Sequence, residues 1–404
     1  MKNALRNRLV VLGVMLTLGT SPLHAQDWTQ WRGPDRNNKV SGFTEPKTWP
    51  KNFTEKWKVT VGVGDASPVL MGDKVYAYGR IGKKETLFCL DATTGKELWK
   101  DAIDAPDVRG PASGHPGPRS SPAAADGKVC TFGVDAVLTC YEADSGKILW
   151  RKETKGHPRF FTSSSPLIVD KMCIIHTGSE GKGALTAFNL ADGKEVWAWN
   201  GDGPSYSSPV VMTVAGTKQI VEMTEKNIVG ISAADGKLLW ETPFKARYNN
   251  STPLVDGDTV IYGAPGVGTI ASKITKEGDK FTVKELWKKS QAPHNYNSPT
   301  LKDGFIYGLS PSKNFYCMNA KTGEIVWTDT NIRGECGVIL DAGSVMLSLP
   351  GNTDLVAFKP NDKEYQEVAK IKVADTATWT CPIVAGKKIF VKDKDTLRLL
   401  TIED

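Results

Sequence analysis

The 404-residue sequence holds little that would mark a helical, membrane-embedded or metal-binding protein. It has five histidines, none at a ligand spacing such as His-x3-His, so separate surface roles are expected for them. No lysine or arginine run stands out. The formal net charge of +6 halves once residues 1–25 are set aside, because they carry Lys2, Arg6 and Arg8 and no acidic residue. So mild a balance gives no basis for nucleic-acid or polybasic membrane binding. Beyond the first turns of the chain there is no long apolar run, so no transmembrane segment is expected in the mature protein. No two cysteines are adjacent, and their odd number, seven, leaves at least one thiol unpaired within the chain. Residues 263–268 are glycine-rich but precede no helix signal, which argues against a phosphate loop. No nucleophile–base constellation is legible.

What is present begins with a targeting segment. Lys2, Arg6 and Arg8 form a positive stretch, residues 9–18 an apolar one, and Ala25 is a small residue suited to cleavage. Residues 1–25 are therefore expected to be a signal peptide, residues 26–54 a lead segment, and residues 55–404 the folded body of a periplasmic or secreted protein. A monomer is expected.

An internal repeat dominates that body. Leu87-Phe-Cys-Leu-Asp-Ala-Thr-Thr-Gly-Lys-Glu-Leu-Trp99 returns as Leu138-Thr-Cys-Tyr-Glu-Ala-Asp-Ser-Gly-Lys-Ile-Leu-Trp150 and again as Leu185-Thr-Ala-Phe-Asn-Leu-Ala-Asp-Gly-Lys-Glu-Val-Trp197. Further copies end at Trp240 and Trp327, and a degraded copy ends at Trp287. Alternation of faces predicts a strand, the glycine a tight turn, and the tryptophan a large ring covering the neighbouring unit. A hydroxyl residue followed by proline precedes each copy: Ser67-Pro68, Ser121-Pro122, Ser165-Pro166, Ser208-Pro209, Thr252-Pro253 and Ser298-Pro299, with Cys381-Pro382 as a variant. Proline suits the first residue of a strand, where no ladder donor is needed.

These marks, with one missing near Gly337, recur at a period of about 45 residues, which is the spacing of propeller blades. Eight starts predict an all-β, eight-bladed β-propeller with four-stranded antiparallel blades. The last unit ends after three strands, and Glu55-Lys-Trp57-Lys-Val59 resembles the missing fourth. The N-terminal strand is thus expected to close the last blade. The docking tryptophans would be Trp57, Trp99, Trp150, Trp197, Trp240, Trp287 and Trp327.

The repeat, together with the lead Trp28-Thr-Gln-Trp31-Arg-Gly-Pro34, resembles the pyrroloquinoline-quinone (PQQ)-like propellers of secreted bacterial proteins. The resemblance covers residues 28–404 and is specific for fold rather than function. It implies two functional classes: quinoprotein dehydrogenases, which oxidise alcohols or sugars with PQQ and a calcium ion, and non-catalytic scaffolds such as the propeller of the outer-membrane β-barrel assembly machinery. The dehydrogenases usually carry a vicinal cysteine pair and longer insertions, both missing here. The leading expectation is therefore a non-catalytic binding or scaffold protein. A PQQ-dependent dehydrogenase is the alternative, and a polysaccharide-binding module a third reading.

Loops entering the blades should ring one mouth of the central channel. Three places before each proline stand Asp65, Arg119, Ser163, Tyr206, Asn250, Tyr296 and Trp379; the unmarked seventh blade offers Arg333 and Glu335. His115, His157 and His294 fall in the same loops. The ligand candidates are Arg119, Tyr206, Asn250, His294, Tyr296 and Trp379. Trp379 or Tyr206 would stack on a planar or sugar-like molecule and Arg119 would pair with a carboxylate. Oxygen donors for calcium (Asp65, Asn250, Glu335, Asp375) are scattered without a motif, and no metal or catalytic residue is assigned. Cys130 and Cys140 should face each other across a hairpin, within bridging range; Cys336 and Cys381 offer a second pairing between adjacent blades.

Overall fold

The structure, a computed structural model, describes residues 27–290, 297–334 and 336–403. The expected signal peptide, His294, Tyr296 and Glu335 lie outside the described residues. The strands form eight separate four-stranded antiparallel sheets. Blade 1 shows the pattern: Val69–Met71, Lys74–Ile81, Lys84–Asp91 and Glu97–Asp104, each paired with the next. The first strand of each blade lies innermost and the fourth outermost, and the fourth bears a docking tryptophan in every blade but the seventh. No described helix is long and apolar enough to cross a membrane.

Blade 8 contains three C-terminal strands, Ile383–Ala385, Lys388–Lys392 and Thr396–Thr401, and a fourth from the other end of the chain, Thr54–Thr60. The register sets Trp57 beside Leu399 and Val59 beside Leu397. The ring is closed as the sequence predicts, and the strand Thr396–Thr401, which would otherwise be an edge, is paired on both sides.

Blade-to-blade contacts explain the repeat. The indole N–H of six of the seven docking tryptophans donates to a carbonyl in the following blade: Trp57 to Ala92 (3.4 Å), Trp99 to Ala143 (2.9 Å), Trp150 to Leu190 (3.1 Å), Trp197 to Ala233 (3.0 Å), Trp287 to Ala320 (3.0 Å) and Trp327 to Asn361 (2.9 Å). Beneath five of these rings sits the turn glycine of the next blade: Gly95, Gly146, Gly193, Gly236 and Gly323. Trp240 departs from the pattern. Its N–H donates to Gln219 Oε1 in its own blade (2.5 Å). The following blade has a long hairpin, Gly268–Glu277 with Lys280–Lys289, whose turn glycine Gly278 has no ring against it. Trp240 therefore lacks the seat its counterparts use.

The Ser/Thr-Pro marks form an inner belt. Each hydroxyl accepts the backbone N–H of the equivalent residue one blade back: Ser121 from Ser67 (2.9 Å), Ser165 from Ser121 (3.0 Å), Ser208 from Ser165 (2.9 Å), Thr252 from Ser208 (3.3 Å) and Ser298 from Thr252 (2.9 Å). Across the closure, the Cys381 N–H donates to Ser67 Oγ (2.7 Å). The proline that follows needs no donor, so the hydroxyl satisfies the last free N–H before the strand.

Candidate functional site

The lead segment runs into the central channel and pins the ring from inside. Trp28 exchanges both backbone hydrogen bonds with Leu70 of blade 1 (2.9 Å each), and Thr29 O accepts from Ala124 N of blade 2 (2.8 Å). Gln30 exchanges bonds with the Ile168 backbone of blade 3. Arg36 donates to Ser165 O and Pro166 O of the same blade and to Pro209 O of blade 4. Trp31 Nε1 donates to Thr252 Oγ1 (3.4 Å), and Arg32 Nη2 to Pro299 O (2.6 Å). Val40 N reaches Asp341 O of blade 7, and the Cys381 thiol faces Asn38 Oδ1. One short segment thus touches all eight blades. Its coil requires left-handed backbone at Arg32, Arg36 and Asn38, with φ of 67°, 55° and 61°. Such strain persists only where the surroundings over-determine it.

Above this plug lies a cavity of about 530 Å³, within the usual size range of ligand sites. Counting back from the prolines located its wall. Asp65, Arg119, Ser163, Tyr206, Asn250 and Trp379 come from six blade-entry loops and line one space. Four of the six ligand candidates therefore converge, while His294 and Tyr296 lie outside the described residues. Sequence reasoning missed the floor, Trp31, Arg32 and Asn38, and the wall residues Phe160 and Tyr248. Two tryptophans and two arginines within residues 28–36, outside any repeat, were the available signal.

Two loop candidates belong elsewhere. Arg333 is not in the cavity. Its guanidinium is held by Asp329 (2.6 Å) and Glu367 (2.9 Å) and packs over Phe315 and Tyr365, because its loop folds back onto the wall between blades. His157 stacks on Phe161 (4.5 Å between centroids) outside the cavity. Asp375, a scattered calcium candidate, pairs instead with Lys58 and Arg398 on the outer surface, and these cations hold its carboxyl well below the usual range. The proposed cysteine bridges are also absent. Cys130 and Cys140 are register partners, as their spacing predicts, yet all seven cysteines are buried and none is bridged. Both sit in close-packed core, where a thiol serves as a small apolar group.

The charge in the cavity is lopsided. Asp65 is the one carboxylate among the described lining residues, and its Oδ2 lies 2.7 Å from His115 Nδ1. That hydrogen bond raises the imidazole pKa, against desolvation. The His115 ring meets Trp379 edge-on at 4.8 Å. Arg32 is fully buried; burial pushes its guanidinium down to about 10, which leaves it cationic at neutral pH. Arg119 is lowered for the same reason. Behind it lies Glu85, whose carboxyl burial pushes up to about 7; that group already accepts from Tyr78 OH (2.9 Å) and Val134 N. Among the described residues, Arg32 Nε and Nη1, Arg119 Nε and Nη2, and both side-chain atoms of Asn250 are buried without a partner.

A quinone cofactor with calcium can be tested against this lining. The arginines and the aromatic rings suit a flat, anionic ring system. The calcium does not fit: it needs clustered oxygen ligands, and Asp65 is already committed to His115. No group of three His, Cys, Asp or Glu side chains placed to hold a metal ion occurs among the described residues.

Comparison with known proteins agrees with the architecture. The family profile for outer membrane protein assembly factor BamB matches residues 83–329. The assembly factor BamB of Burkholderia pseudomallei is 25% identical over 353 residues, covering 84% of this chain and 85% of its own. BamB of Moraxella catarrhalis superposes with a TM-score of 0.61 at 13% identity, over 87% of this chain and all of that one. Quinohemoprotein alcohol dehydrogenase of Comamonas testosteroni gives 0.66 at 13% identity, over 93% of this chain and 80% of its own. The chain belongs to the PQQ-like β-propeller family typified by outer membrane protein assembly factor BamB.

Proposed function

We propose that this protein is an exported, non-catalytic binding propeller that works in the periplasm or outside the cell as a monomer and engages its ligand or partner at the plugged funnel. The observation that carries this reading is the lining itself. It offers hydrogen-bond donors and ring faces for holding a molecule, and its one described carboxylate is spent on orienting His115. The similarity to the BamB assembly factors over most of both chains supports a binding role. Dehydrogenase chemistry is the second reading, favoured by the superposition on the quinohemoprotein.

Reconstitution separates the two. Purified protein incubated with PQQ and calcium, then supplied with alcohols or sugars and an artificial electron acceptor, is expected to leave the dye unreduced. Substrate-dependent dye reduction would overturn the binding reading.

A further inference from the structure

The buried donors in the funnel point to a ligand class. Arg32 is 0% exposed, yet a single carbonyl, Pro299 O, accepts from it. Its Nε and Nη1 have no partner, and neither do Arg119 Nε and Nη2. Burying a guanidinium costs several kcal/mol unless hydrogen bonds and counter-charge offset it. Native structures rarely leave such groups unpaired, so four unpartnered N–H positions on two arginines lining one cavity need an acceptor. No lining group accepts from these positions, and with Arg32, Arg119 and His115 set against Asp65 alone the described wall is cationic. Asn250 adds a donor and an acceptor, both unpartnered. Trp31, Trp379, Tyr206 and Tyr248 bring aromatic faces to the same space.

We propose that the funnel binds a small carboxylate carried on a single ring, with Arg119 of the blade 2 loop taking the carboxylate and Arg32 of the lead segment adding positive charge at the floor. Guanidinium forks match a carboxylate in geometry and charge, and the paired bonds are strong in a dry site. Asn250 then reads a ring hydroxyl or carbonyl, and the aromatic wall packs the ring. The lead segment in this sense supplies the floor of the site. Its strained coil holds Arg32 at the floor, where no blade supplies an arginine. This inference rests on the binding role proposed above.

Calorimetric titration of the full mature protein with glucuronate, benzoate and glucose tests it. Glucuronate or benzoate should bind at millimolar concentration or below, and glucose should not. Arg119→Gln should weaken acid binding by about tenfold or more, since charged hydrogen bonds are lost. Asn250→Ala is a second variant, for the case in which Arg119→Gln fails to fold, and it should weaken glucuronate more than benzoate. Glucose binding as tightly as glucuronate would overturn the proposal. So would no binding of either acid, or undiminished acid binding in folded Arg119→Gln. If the titrations fail while the dye stays unreduced, the carboxylate site alone is lost; dye reduction removes the binding role whatever the titrations give.

Discussion

Glycine at the turn of each repeat meets two demands at once. At Gly146 the backbone is left-handed (φ 72°), which an L side chain adopts at a cost of about 1–2 kcal/mol. A Cβ there would also stand 2.6 Å from the Trp99 ring of the preceding blade. Gly146→Ala should therefore destabilise the fold by roughly 3 kcal/mol, combining backbone strain and overpacking. Chemical denaturation checks this, and a loss below 1 kcal/mol would show that the ring moves aside freely. The conformational demand was legible in the sequence. The steric one was not, because the partner lies 47 positions earlier in another blade. The same distance hid the hydroxyl belt: Ser-Pro was readable as a strand start, but Ser121 Oγ serves Ser67, not its own turn.

At the scale of the element, strand count and closure were written in periodic marks, and the structure matches them. The strand Thr54–Thr60 completes blade 8, and Trp57 then seats on Gly95 of blade 1, so this strand stabilises two blades. Deleting residues 55–61 should abolish cooperative folding, since it opens an edge and removes a buried tryptophan worth about 3–5 kcal/mol by itself. Thermal melting checks this; an unchanged transition would contradict the closure. The lead segment was harder to read. It has no repeat, no periodicity and no regular element, so propensity and pattern say nothing about where it goes. Its side chains carry the information: Arg32 and Arg36 bury charge and find carbonyl acceptors only inside the channel. Arg333 shows the opposite error. Register placed it at the rim, but Asp329 and Glu367 lie closer than the cavity does and hold it.

For the whole molecule, the closed ring and its internal pin form one cooperative object. Blades hold one another at the rim through tryptophans and inside through hydroxyls, and residues 28–40 tie all eight to the axis. The funnel is a consequence of that arrangement. Without the plug the channel would have no floor, and Arg119 would face an open passage. The proposed role therefore depends on a segment that the repeats do not contain, which is why the repeats identified the architecture and left the ligand open. Hydrogen exchange of backbone amides in residues 28–40, with and without glucuronate, tests this most directly. The account predicts that the amides of Trp28, Gly33, Arg36, Asn38 and Val40, all hydrogen-bonded, exchange as slowly as the inner strands and slow further with glucuronate. Exchange at the rate of a free peptide, or no response to glucuronate, would contradict it.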